Sequence, residues 1–434
     1  MKQRLLCVLY NILLWPALLF ACYRLYWPRK GKRPFGPRWV EHFGFGQSFK
    51  SPDLWYHAVS VGEVIASVPL IHALQTRHPK WRILITTTTA TGAAEVAKRL
   101  GDSVEHRYAP FDLWPCIWLF ITRYQPKQLW IMETELWLNW LKQCEKRHIP
   151  VKLINARLST RSTKRYLRFA SFAQLLFPRL SWIGAQYQHD ADNFITVGAP
   201  AKQVTVTGSV KYDLVIDAKR IANAKAQRQQ LFGNRPVIIA ASTHAGEDET
   251  ILTMAKTLRQ EHPSLVLILV PRHPERFDEV TALASQDGPT IRRSLSQPVN
   301  ADTITYIGDT MGELIDMLAM SDITIMGGSF ATIGGHNYLE PAALGIPCIS
   351  GPFDFNFQEI SLRLQQSGAL ELNDNIEILT RQINHWLKDS DAWQRASQAA
   401  LDTVAANQGA VSRTLAALLA DEQPNDLTTK TNSL

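Results

Sequence analysis

No two cysteines of the 434-residue chain stand in a CxxC pair, and none shows metal-ligand spacing. The five that occur, Cys7, Cys22, Cys116, Cys144 and Cys348, are odd in number and scattered. That usage fits a reducing compartment and excludes a disulfide framework or a structural zinc site. Acidic side chains are missing from residues 1–40, which hold eight of the 46 basic ones. The remainder carries 38 basic against 39 acidic groups, so the net charge of +7 belongs to the N-terminus and does not mark a nucleic-acid binder. Short repeats and low-complexity blocks are also absent, as is a GxSxG elbow, which removes a serine hydrolase built on Ser242 and His244.

What is present begins with an apolar run. Residues 5–23 carry no charge, and only Asn11 is clearly polar. Nineteen helical residues span about 28 Å, close to a bilayer's hydrocarbon thickness. Two basic residues precede the run and six follow it by position 38. The positive-inside rule then places the rest of the chain in the cytoplasm, behind a single retained anchor. A cleaved leader, a lipoprotein box at Cys22 and a buried core helix are the competing readings. No small-x-small site follows the run, and Phe20 is bulky for a lipoprotein box.

Beyond a basic linker at 28–40 the pattern alternates between strand and helix. Strand-like runs cover 54–61, 81–88, 127–132, 151–154 and 182–185. A second series covers 236–242, 265–270, 303–307, 323–326 and 346–350. Helical segments separate them, including one expected to start near Glu135 and one near Asn337. Such βαβα repetition predicts an α/β protein of two doubly wound, Rossmann-like domains facing a cleft, preceded by one transmembrane helix. The expected parts are an anchor at 1–27, a first domain at 28–212, a second at 213–420 and a flexible tail at 421–434. Ligands of such sheets bind beyond the carboxyl ends of the strands, so function belongs in the loops there.

In the first series, Gly62 permits a tight turn before Glu63, which starts a helix. Glu63 is either a cleft-facing functional carboxylate or a helix-start charge stabilised by the dipole. Met132-Glu133-Thr134-Glu135 ends another strand; Thr134 is read as a helix cap and Glu135 as a first-turn charge. Glu133, ending a buried strand, is read as a ligand or catalytic-site residue. Asn155 to Ser162 opens a stretch, 142–180, with ten basic residues and one acid, Glu145. It is either a solvated face or a surface for anionic lipid and phosphorylated substrate.

The second series carries the features suited to phosphate. The loop from Ser242 to Glu247 offers backbone N–H groups at a helix start. Arg272 and His273 end the next strand, where a planar guanidinium suits a phosphate grip. The stretch from Gly327 to Pro347 is the longest motif, with glycines that permit close backbone approach. Glu340 lies in the first turn of the following helix, placed to hold ribose hydroxyls.

Eight phrases occur in order along the chain: HAVSVGEV, TTTTATG, METELW, NARLSTRS, ASTHAGEDE, VPRHPERF, GDTMGEL and GGSFATIGGHNYLEPAALGIP. Together they resemble the Kdo (3-deoxy-D-manno-octulosonic acid) transferases of lipopolysaccharide synthesis, from the anchor to about residue 400. The family pattern continues METELW with Pro-Asn, where this chain has Leu138-Asn139. The resemblance implies a GT-B fold and an inverting, single-displacement transfer of Kdo from CMP-Kdo to a lipid A precursor, with no metal and no other cofactor. It implies Glu63 as the base. It also implies a donor site of Ser242, Arg272, His273, Gly308, Met311, Gly312, Glu313, Ser329, Asn337 and Glu340. Ser60, Gly62, Glu133, Arg157 and Arg161 are the acceptor-side candidates. The implied setting is the bacterial inner membrane with its anionic lipids, single-pass, catalytic domains cytoplasmic. Another GT-B enzyme using a UDP-sugar, or a non-catalytic lipid A binding protein, are the alternative readings.

Overall fold

The computed structural model describes residues 2–27, 35–47 and 51–420. The expected tail at 421–434 and the first part of the basic linker lie outside the described residues. The chain divides into two compact units, Met1–Asp213 with Gln408–Leu434, and Leu214–Asn407.

In the first unit seven strands are β1 (Leu54–His57), β2 (Ile83–Thr87), β3 (Glu105–Tyr108), β4 (Leu129–Met132), β5 (Val151–Ala156), β6 (Trp182–Ala185) and β7 (Val204–Val206). They form one parallel sheet ordered β3-β2-β1-β4-β5-β6-β7. Its helices are α1 (Lys2–Tyr26), α2 (Val61–Arg77), α3 (Ala90–Leu100), α4 (Trp114–Tyr124), α5 (Leu138–Lys146), α6 (Thr160–Arg168), α7 (Ala170–Leu176) and α8 (Gln188–Thr196). Side chains alternate across the sheet, as strand geometry requires. Trp55, Leu129 and Ile131 join one core layer, and Leu54, Tyr56, Trp130 and Met132 the other.

The second unit begins with α9 (Ala218–Phe232). Its strands are β8 (Val237–Thr243), β9 (Val266–Pro271), β10 (Thr290–Arg292), β11 (Thr305–Ile307), β12 (Ile323–Met326), β13 (Cys348–Ser350) and β14 (Leu370–Leu372). The parallel order is β10-β11-β9-β8-β12-β13-β14. Around it lie α10 (Asp248–Arg259), α11 (Phe277–Ser285), α12 (Leu314–Ala319), α13 (Leu339–Ala343), α14 (Gln358–Ser367), α15 (Ile376–Lys388) and α16 (Ser390–Asn407). Both cores are apolar sandwiches of helix, sheet and helix, the architecture expected for two Rossmann-like domains.

Several expectations need correction. The chain's last described helix, α17 (Ala410–Leu419), falls within the expected second domain, 213–420, but packs on the first. Val411, Leu415 and Leu418 join the core layer of Leu70 and Leu74. Gly409 offers α17 no side-chain cap. Asp213 supplies one from across the chain, accepting the N–H groups of Gly409 at 2.6 Å and Val411 at 2.5 Å. The helix after β4 starts at Leu138 rather than Glu135, with Trp137 before it. Thr134 does not cap it; its hydroxyl donates to the Arg157 carbonyl. The linker read over 28–40 ends in structure, because Gly36–Phe43 is a 3-10 helix with His42 buried. Among the described residues, the one helix long and apolar enough to cross a membrane is Arg4–Tyr26. One of its faces is occupied: Leu6, Cys7 and Tyr10 pack against the first unit's core.

The Asp213 cap yields a prediction. Asp213→Ala leaves the first turn of α17 unsatisfied and lowers the first unit's stability by about 1–2 kcal/mol. Thermal unfolding followed by tryptophan fluorescence reads this, and an unchanged midpoint contradicts it.

Candidate active site

In the first sheet the strand order reverses between β1 and β4, and the loops leaving their carboxyl ends diverge there. β1 runs into Ser60, the N-cap of α2, whose hydroxyl accepts the Glu63 N–H at 3.4 Å. The Glu63 carboxylate turns back, accepting the Val59 N–H at 2.8 Å and the Ser60 hydroxyl at 3.0 Å. This Ser-x-x-Glu box fixes the side chain in one orientation. Burial is the chief cause that pushes the Glu63 carboxyl up to about 7; repulsion from Glu133 and Glu135 adds to it, and the Val59 and Ser60 contacts oppose it. A carboxylate so poised is half ionised near neutrality, which suits proton transfer. Ser60 and Gly62 are exposed on the same turn.

Glu133 ends β4 in left-handed backbone, φ 57°, and Asn155, near the end of β5, has φ 52°. Left-handed conformations cost non-glycine residues about 1–3 kcal/mol and cluster at functional sites. Here tertiary contacts hold both. Glu133 is paired with Lys211 at 2.9 Å. Buried Asn155 accepts the Val210 N–H at 3.1 Å through its side chain and the Gln186 amide at 2.8 Å through its carbonyl. Arg157 and Arg161 are exposed beyond β5, Arg157 just after the strand and Arg161 on α6. Lys211 does not stand out in the sequence, and Asn155 does so only as the start of a basic stretch. Lys211 sits in a short 3-10 turn after β7 that has no periodic signal.

The second sheet repeats the design between β8 and β12. Ser242, φ 62°, forms an irregularity at the end of β8. A Cβ on Gly327 would stand 2.4 Å from the Ser242 carbonyl oxygen, so the two loops can meet only with glycine there. The residue that locks them is Glu247, also missed, because a glutamate before a helix reads as a start charge. It is 1% exposed. Its carboxylate accepts N–H groups from His244 at 2.8 Å, Gly328 at 2.7 Å, Phe330 at 2.9 Å and Ala331 at 3.3 Å. His336 of the glycine stretch reaches His244 with Nε2 to Nε2 at 2.9 Å, the rings stacked, and His273 stands edge-on to His244. Burial first, then the charges of His244, Arg272 and His273, lower His336 to about 4. Arg272 and His273 are exposed at the end of β9.

Other expected donor residues divide by role. Glu340 lies in the first turn of α13 and accepts the Asn337 amide at 3.2 Å. Met311 is exposed, and the Gly312 carbonyl accepts from Arg220 at 2.9 Å. Three residues are engaged within the protein itself. Glu313 is held by the fork of Arg293 at 2.8 and 2.9 Å, which draws its carboxyl down to about 2. Ser329 is fully buried, donating to the Met326 carbonyl at 2.5 Å and accepting the Gly351 N–H at 2.8 Å. Gly308 is needed for packing, since a Cβ there would stand 2.4 Å from the Met317 sulfur.

Residues 37–214 match the family model described as 3-deoxy-D-manno-octulosonic-acid transferase (kdotransferase), and residues 234–403 match glycosyl transferases group 1. The chain is 40% identical over 383 residues to the 3-deoxy-D-manno-octulosonic acid transferase of Haemophilus influenzae, covering 87% of this chain and 90% of that one. It belongs to the 3-deoxy-D-manno-octulosonic acid transferase family. This Kdo transferase is also 33% identical to the enzyme of the same name from Bordetella pertussis, over 84% of this chain and 86% of that one. The UDP-GlcNAc 2-epimerase of Neisseria meningitidis, 14% identical with a TM-score of 0.59, matches 86% of the transferase and all of its own chain, which shows the shared two-domain GT-B-like fold.

The Glu247 contacts carry a prediction for the transferase. Glu247→Gln turns an amide NH2 toward backbone donors and loosens both loops, at a cost on the order of 3 kcal/mol. Hydrogen exchange at Gly328, Phe330 and Ala331 should quicken while β12 stays protected; unaltered exchange contradicts the role.

Proposed function

We propose that the transferase moves Kdo from CMP-Kdo to a hydroxyl of a lipid A precursor, in lipopolysaccharide inner-core synthesis at the cytoplasmic face of a bacterial inner membrane. The observation that carries the reading is Glu63. Its carboxylate is fixed at the start of α2 and raised to about 7, beside the strained end of β4. In the proposed step the acceptor oxygen forms a bond to the anomeric carbon of Kdo as that carbon's bond to the CMP phosphate breaks. The acceptor proton passes to Glu63, and the bond electrons leave on CMP. One displacement inverts the anomeric centre. CMP is a good leaving group, so the step asks for fixed positive partners rather than a strong general acid.

The first unit supplies the base, and the second supplies those partners. Arg272 is the cationic grip on the phosphate, with His273 beside it, and Glu340 with Asn337 receives the ribose. The step uses no metal. Ser60, Gly62, Glu133, Arg157 and Arg161 face the acceptor, whose own phosphates the two arginines suit. α1 and the basic stretch of 142–180 hold the enzyme to anionic lipid, where its acceptor resides.

Mass spectrometry of the lipid product tests the reading directly. CMP-Kdo with a lipid A precursor should give a lipid heavier by Kdo and one CMP released per sugar. Turnover with UDP-sugars and none with CMP-Kdo would overturn it. Glu63→Gln retains the size and one oxygen of the side chain but cannot accept a proton. At saturating donor and acceptor its turnover should fall by roughly a hundredfold to ten-thousandfold. A folded variant within threefold of the parent would pass the role to Glu133. Arg272→Ala should weaken donor use by about tenfold to a hundredfold, the worth of a charge-assisted hydrogen bond. Unchanged rates at subsaturating donor would remove Arg272 from the site.

A further inference from the structure

The apolar helix α1 is fastened sideways to the first unit at two places. Near its start the Tyr10 hydroxyl donates to Asp112 at 2.6 Å, and the Asn139 amide donates to Asn11 at 3.0 Å. At its end the Tyr26 hydroxyl meets Nδ1 of His42 at 2.9 Å, with the Tyr26 ring set edge-on to Phe35 and Trp39. Between Tyr10 and Tyr26 run about 24 Å of helix axis. Leu14, Leu18, Ala21, Cys22 and Leu25, spaced at three and four residues, are all half-covered along that length. The opposite face is open: Leu5, Leu9, Ile12, Leu13, Leu19 and Phe20 are 50–74% exposed.

A helix that crosses a bilayer is surrounded by hydrocarbon or by other spanning elements. Here Asp112 and Asn139 of a parallel α/β unit lie along its side at Tyr10 and Asn11, inside the apolar run, and each would be carried into the hydrocarbon with it. Such polar groups are costly at that depth. The open face is instead an apolar stripe of the kind that sinks into the headgroup and acyl boundary. Its neighbours match a membrane surface. Phe172 of α7 packs on Tyr10, with ring centroids 5.6 Å apart. α6, packed against α7, exposes Leu167 and, just past its end, Phe169. Among them are the exposed bases Arg161, Lys164, Arg165 and Arg168, which complement an anionic leaflet.

We propose that α1 does not span the bilayer: it lies in the plane of an anionic phospholipid leaflet, clamped to the first unit by Tyr10–Asp112, Asn11–Asn139 and Tyr26–His42, with its N-terminus on the catalytic side. This replaces the single-pass topology expected from length and charge. It rests on the membrane attachment proposed above, and the two fail differently.

The test uses the full-length protein in native membranes, with Cys7→Ala and Cys22→Ala to remove the helix's own thiols. Asn11→Cys with Asn139→Cys should be joined by a short bifunctional maleimide in most of the membrane-bound protein. Gln3→Cys, which leaves all three ties intact, should react with an impermeant maleimide in inverted vesicles and be protected in spheroplasts. Labelling of Gln3→Cys from the periplasmic side, or no cross-link in a protein that stays in the membrane, overturns the in-plane topology. A protein recovered wholly in the soluble fraction overturns the membrane attachment itself.

Discussion

A parallel sheet that is wound in two directions must reverse its strand order once, and the transferase depends on where its two sheets do so. The reversals lie between β1 and β4 and between β8 and β12. In a doubly wound sheet the loops beyond the carboxyl ends lead to opposite faces at such a reversal, and ligands bind in the crevice there; at the second reversal Glu247 ties the two loops together. Glu63 and Glu133 stand at the first reversal, Ser242 and the glycine stretch at the second. Glu133 and Ser242 take up left-handed backbone at these two reversals, and Asn155 does so one strand away, near the end of β5. The chemistry is placed by topology first and by side-chain identity second.

The same geometry explains what the sequence disclosed. All ten interior strands were legible, because a strand buried on both faces is a continuous apolar run such as Val237–Thr243 or Val266–Pro271. The four that escaped, β3, β7, β10 and β14, are the edges of the two sheets. They are three or four residues long and partly exposed, as in Glu105–Tyr108 and Val204–Val206, and they leave no such run. The return of α17 to the first unit was hidden for another reason. Nothing local in Ala410–Leu419 says which core its apolar face will find.

Among the candidate site residues, those at strand ends or in the first turn of the next helix were legible as candidates: Glu133, Arg272 and His273 at strand ends, Glu63 and Glu340 in first turns. Residues that act by holding others were not. Glu247 binds four backbone amides, and Lys211 neutralises Glu133, yet each looks in sequence like any surface charge. Ser329, Glu313 and Gly308 are in the expected donor list by their motif positions, and each also has a partner inside the protein. The structure spends the Ser329 hydroxyl on two loop bonds, the Glu313 carboxylate on Arg293 and the Gly308 vacancy on Met317. A motif therefore marks residues that build a site as readily as residues that touch its ligand.

For Glu63 as the proposed base, burial sets the pH at which it works. The most direct measurement is the pH dependence of kcat for the purified enzyme at saturating CMP-Kdo and lipid A precursor. Burial raises the folded carboxyl to about 7, so the base is ionised above that pH and protonated below it. The rate should climb with pH through about 7 and then level off. A rate that is flat across neutrality, with its only acid limb near the pH at which an ordinary exposed carboxylate titrates, would contradict that role for Glu63.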